Sequence, residues 1–147
     1  MNCSQIYIGV NAPLQQVEDD IFSVEHISES DKEHSKLNAV LNAKYIYYLA
    51  PHTGCGCGCG CGWEVLNTET ESDNLSKKSL DALKHYLWNL SVEQSIYLLV
   101  CNQNFIRCIP APALEVGVLS FISALDELRP KFGESNARLY SLKSYIP

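Results

Sequence analysis

A chain of 147 residues, 46% hydrophobic and 19% charged, has the composition of a soluble globular protein and the length of one domain with a buried core. Its net charge of −6 opposes sequence-independent nucleic-acid binding, because phosphate contacts need a basic surface. No apolar run approaches the roughly 20 residues needed to span a bilayer, and Met1-Asn2-Cys3-Ser4-Gln5 lacks the basic and apolar regions of a signal peptide, so no membrane association and a cytoplasmic location are expected.

Residues 5–10 (Gln-Ile-Tyr-Ile-Gly-Val) are β-branched and aromatic and predict the first strand. Asn11-Ala12-Pro13 breaks it, and residues 14–20 suggest a short helical turn. In residues 21–27, Phe22 and Val24 alternate with Ser23 and Glu25, the pattern of a second strand. Residues 28–35 are polar and carry both charge signs, so a surface loop is expected. His26, Asp31, Glu33 and His34 gather there, but their spacing matches no ligand pattern. Residues 37–42 suit one or two helical turns, and residues 44–50 (Lys-Tyr-Ile-Tyr-Tyr-Leu-Ala) predict a strand ended by Pro51.

Residues 64–73 are acidic and rich in Thr and Ser, as in a surface connection or ragged hairpin. A helix follows over residues 74–90, where Leu80, Leu83, Leu87 and Leu90 define one apolar stripe. Ser76 reads as its N-cap, with Leu75 and Leu80 as a hydrophobic staple, and His85 as a surface residue. Residues 95–101 (Ser-Ile-Tyr-Leu-Leu-Val-Cys) are continuously apolar, as in a strand covered on both faces. Asn102-Gln103-Asn104 supplies a turn, and residues 105–109 suggest a returning strand closed by Pro110 and Pro112. Residues 114–128 fit either one helix or a strand through Gly117 leading to a shorter helix from about Ser120, stopped by Pro130 and Gly133. Residues 138–144 predict a last strand. The expected fold is α+β: a single domain over residues 1–147, with a mixed or antiparallel sheet of about five strands and one or two packed helices.

One stretch departs from ordinary composition. His52-Thr53-Gly54-Cys55-Gly56-Cys57-Gly58-Cys59-Gly60-Cys61-Gly62-Trp63 places four of the seven cysteines at two-residue spacing with glycine between them, a Cys–Gly repeat loop or strand over residues 54–62. An odd cysteine count without export signals does not predict a disulfide framework. Metal binding, redox or nucleophilic chemistry, and simple burial are the open readings. In an extended segment the four thiols form one row, with neighbouring Cβ atoms roughly 6.6 Å apart. Two thiolates on tetrahedral zinc, each about 2.3 Å from the metal, sit roughly 3.8 Å apart. Adjacent pairs can lean inward that far, whereas four on one ion need a bent backbone, which the intervening glycines make cheap.

Soft thiolates select zinc, copper(I) or iron–sulfur assemblies. Zinc (Zn2+) leads because His52 stands three residues before Cys55 and zinc accepts imidazole beside thiolate. Copper(I) is the alternative, and the spacing differs from ferredoxin runs. The expected ligands are His52, Cys55, Cys57, Cys59 and Cys61, with Cys101 the best distant addition, ahead of Cys108 and Cys3. For those three, a small buried hydrophobe is an equal reading. No carboxylate is positioned by sequence to act as a general base, so a structural or storage-like metal is expected. A competing reading is a cysteine nucleophile whose thiolate is favoured by a cationic His52. A third is a metal-free module that binds a protein partner.

Tyr47-Tyr48-Leu49-Ala50-Pro51-His52-Thr53-Gly54-Cys55-Gly56-Cys57-Gly58 resembles a group of small uncharacterised bacterial proteins carrying a strand, then His-x-Gly-Cys-x-Cys-Gly and an aromatic residue, then a helix and a strand ending near a cysteine. The similarity spans about residues 45–105 and is distinctive at the His-Cys-Cys core. It implies a shared site of His52, Cys55 and Cys57, with Cys101 as a further member, and brings no function with it. This chain departs by its added Cys–Gly repeats. Counting from His52 selects Cys55 and Cys57, while counting back from Trp63 selects Cys59 and Cys61.

Overall fold

Three strand signals in the sequence lie side by side in space. The computed structural model describes residues 5–52, 63, 71–101, 114–125 and 137–143. Strand β1 (Gln5–Val10) is central, with β3 (Tyr45–Pro51) antiparallel on one side and β4 (Ile96–Cys101) antiparallel on the other. Beyond β3 lies β2 (Phe22–His26), and beyond β4 lie β6 (Ala137–Lys143) and then β5 (Leu114–Gly117). Every pairing is antiparallel except β5 with β6. Among the described residues the result is an open mixed sheet of six strands, one more than the sequence suggested, with three helices instead of one or two: an α+β architecture.

Period-two alternation divides the side chains between the faces. Ile6, Ile8 and Val10 of β1 face one way with Leu49, Leu98 and Leu142, and join the larger core cluster. Helix α2 (Glu71–Glu93) lays Leu80, Leu83, Leu87 and Leu90 on this face, all buried. Each such leucine stabilises by about 1.5–3 kcal/mol on transfer from water. Helix α3 (Val118–Leu125) adds Phe121, whose ring meets that of Tyr140 edge-on at 5.1 Å. Tyr7, Ile46, Leu99 and Cys101 point to the opposite face, against Leu37 and Leu41 of helix α1 (His34–Leu41). That helix ends at Asn42 in the left-handed region (φ 47°), where the Asn42 N–H donates to the Asn38 carbonyl at 2.8 Å.

Three expectations are corrected. Residues 14–20 contain no helical turn: Val17 instead bridges Val24, exchanging two backbone hydrogen bonds along the outer edge of β2. Tyr47 fixes this connection, because its hydroxyl accepts from the Leu14 N–H at 2.8 Å. Helix α1 begins inside the stretch expected to be a loop. Strand β3 ends at Pro51 as expected, with Pro51 opposite Phe22 in register, whereas α2 begins before Asn74, so Ser76 is a helix-interior residue and not an N-cap. Residues 114–125 adopt the strand-then-helix alternative. The expected return strand at 105–109 lies outside the described residues. No helix among the described residues is long and apolar enough to cross a membrane.

Candidate functional site

Because β3 and β4 both run antiparallel to β1, their C-terminal ends flank its start. His52, the first residue beyond β3, is only 3% exposed and turns toward α2. Two serines one helical turn apart hold it. Nε2 of the ring lies 2.8 Å from Ser76 Oγ, and the backbone N–H donates to Ser79 Oγ at 3.1 Å. Ser79 Oγ in turn donates to the Ile21 carbonyl at 2.7 Å, tying α2 to the start of β2. Both serines are buried, at 1% and 0% exposure, so their hydroxyls need these partners to offset lost hydration.

Phe22 lies opposite Pro51 in register, and its ring meets Trp63 edge-on at 6.3 Å and Tyr86 at 5.3 Å. Trp63 is fully buried. The residues just before and just after the Cys–Gly run are therefore anchored on one small region, the start of β2 and the facing turn of α2. The Trp63 indole Nε1, buried, has no hydrogen-bond partner among the described residues.

A serine hydroxyl 2.8 Å from a histidine nitrogen has the spacing of an activated nucleophile. Ser76 is enclosed between helix and strand, however, and a substrate cannot reach it. The hydroxyl can anchor the imidazole; it cannot attack from where it stands.

Cys101 stands apart from this arrangement. It is fully buried on the α1 face among Tyr7, Leu37, Ile46 and Leu99, and its thiol points to the Gln5 carbonyl at 3.8 Å. Burial pushes the neighbouring Tyr7 hydroxyl well above its ordinary range, and negative charge on Cys101 acts in the same direction. Cys55, Cys57, Cys59 and Cys61, with Cys3 and Cys108, lie outside the described residues. Among the described residues, no three His, Cys, Asp or Glu side chains gather as a metal site, and His26 and His85 are exposed, as expected of surface residues.

Sequence reasoning missed the serine pair. Ser76 and Ser79 continue the leucine stripe backward at helical spacing, ahead of Leu80 and Leu83. Two serines on a core-facing stripe signal a buried polar group opposite, and here that group is His52. Compared with protein families, curated proteins and solved structures, the chain matches none.

Proposed function

We propose that the chain is a cytosolic protein that binds a thiophilic metal, zinc most simply and copper(I) as the alternative, in a structural or storage-like role. The ligands are His52 and thiolates drawn from Cys55, Cys57, Cys59 and Cys61. The observation that carries this reading is the buried His52, fixed by Ser76 at one ring nitrogen and standing directly before the cysteine run. Metal-binding imidazoles characteristically have their second nitrogen engaged in this way, which fixes the ring's orientation and tautomer. The resemblance to small bacterial proteins with a His-x-Gly-Cys-x-Cys-Gly core agrees with it.

The anchoring of His52 and Trp63 bears on the proposed site. A straight strand of ten residues would separate its flanks by roughly 33 Å. Here the flanking residues share the neighbourhood of Phe22. The buried Trp63 N–H is a donor suited to a metal-bound thiolate. Such a partner would offset the roughly 1–3 kcal/mol that an unsatisfied buried donor costs.

Elemental analysis of the protein purified under reducing conditions tests the proposal. Metal in whole-number ratio to chain, lost in the Cys55→Ser/Cys57→Ser/Cys59→Ser/Cys61→Ser variant, is the expected result. Folded, metal-free protein with one unusually alkylation-prone thiol would replace it with a thiol-dependent enzyme. Metal-free protein with ordinary thiols would leave an interaction module.

A further inference from the structure

We infer that the groove between residues 12–17 and the C-terminal half of α2 is a binding site for a small uncharged molecule with a flat apolar body and a carboxamide edge. The groove has a volume of about 390 Å³, inside the range of roughly 300–1,000 Å³ usual for small-molecule sites. Asn89 on its wall lies about 20 Å along α2 from Ser76, at a rise of about 1.5 Å per residue. The groove is therefore independent of the proposed metal site.

Both walls are set before any ligand arrives. One is α2, where Leu90 is buried and the Tyr86 ring is braced against that of Phe22 at 5.3 Å. The other is the connection from β1 to β2, which is pinned along its length. The Ala12 N–H donates to Gln94 Oε1 at 3.2 Å, the Leu14 N–H donates to the buried Tyr47 hydroxyl at 2.8 Å, and Val17 pairs with Val24. A ligand entering here has little chain to order, which is the main cost that preorganisation removes.

The lining selects against charge. No Asp, Glu, Lys, Arg or His among the described residues lines the groove, although 19% of the chain is charged. An anion or cation would give up hydration there without a counter-charge. Leu14, Val17 and Leu90 supply apolar surface for a flat body, and Gln15, Asn89 and Gln94 supply three carboxamides. A carboxamide carries both donor and acceptor and so complements another of its kind. Gln94 is oriented for this pairing: a backbone N–H can only donate, so the oxygen of its side chain must face Ala12. Its NH2 group, which has no acceptor among the described residues, is left to donate to a ligand carbonyl.

Titration of the full chain with benzamide, read from backbone amide shifts in nuclear magnetic resonance, tests the inference. Benzoate and benzamidine have nearly the same shape and opposite charges. Expected are saturable shifts at residues 12–17 and 86–94, with both ions at least about tenfold weaker than benzamide. Asn89→Trp places a bulky ring at an exposed helical position on the wall and should abolish these shifts while unfolding stays cooperative. Gln94→Glu keeps an acceptor for the Ala12 N–H but removes the NH2. Benzamide should then weaken about threefold to tenfold, and benzamidine should become the tighter ligand. Shifts that do not saturate, that map elsewhere, or that either ion reproduces at equal concentration overturn the inference. So does undiminished benzamide binding in folded Asn89→Trp. A Gln94→Glu chain that still prefers benzamide overturns the role given to Gln94.

Discussion

His52 and Cys101 stand at the same end of the sheet but on opposite faces. His52 is bonded to α2, and Cys101 is enclosed on the side of α1. Between them runs β1, whose Gln5 carbonyl takes the Cys101 thiol contact. Cys101 is therefore left out of the proposed ligand set. Cys101→Ala should leave bound metal per chain unchanged and lower stability by about 1–2 kcal/mol, the ordinary cost of a small void in a core. Elemental analysis and a denaturant titration on the same sample check both halves.

The Ser79 hydroxyl serves two backbone groups, accepting from the buried His52 N–H and donating to the part-buried Ile21 carbonyl. Ser79→Ala strands both, and a loss of about 2–6 kcal/mol is expected, at 1–3 kcal/mol for each unsatisfied group. Ser91 is an internal control, since its hydroxyl only donates back to the Trp88 carbonyl within α2. Ser91→Ala should cost less than about 1 kcal/mol. Equal losses in chemical denaturation would show that Ser79 does no more than an ordinary helical serine.

Helix α1 approaches the sheet where β1 carries no side chain. A Cβ on Gly9 would stand 2.8 Å from the Ala43 Cβ, closer than such carbons approach, and 3.1 Å from the Leu41 Cβ, a tight contact. Gly9→Ala should destabilise by about 1–3 kcal/mol, as overpacking of a filled core does. Faster amide exchange in α1 than in α2 would locate the displacement; uniform exchange across the fold would contradict it.

Tyr7 gives the fold an alkaline limit. Burial holds its hydroxyl neutral at pH values where an unfolded tyrosine, ordinarily near 10, has ionised. Above about pH 10 the unfolded chain releases a proton that the folded chain retains, so stability falls as pH rises. Below that value the group contributes no pH dependence. Tyr7→Phe should flatten the decline above pH 10 in a series of denaturant titrations, whatever its effect at neutral pH.

The sheet was largely legible in the sequence because its central strands are dense in β-branched and aromatic residues. The expected boundaries for β1 coincide with those observed, and β3 and β4 fall within a residue or so. The leucine stripe of α2 was equally legible, since four leucines at helical spacing have one face to bury. Long-range pairing was not. The Val17–Val24 bridge depends on β2 lying at the sheet edge, which no local signal reveals. Ser76 was misread for a related reason: serine before an apolar run is the ordinary mark of a helix start, and only the placement of His52 shows why this serine is buried within α2. The position of His52 before the cysteines was plain, but its clamp joins residues 24 and 27 positions apart. Cys101 was legible as buried at a strand end, while the face it occupies followed only from the register of β1 and β4.

X-ray absorption at the zinc edge, on zinc-loaded reduced protein, tests the central claim most directly. The account predicts a four-coordinate shell with sulfur at about 2.3 Å and one nitrogen at about 2.0–2.1 Å, the nitrogen being lost in His52→Ala. Zinc that washes out with the buffer, or a retained shell of oxygen and nitrogen without sulfur, would contradict it.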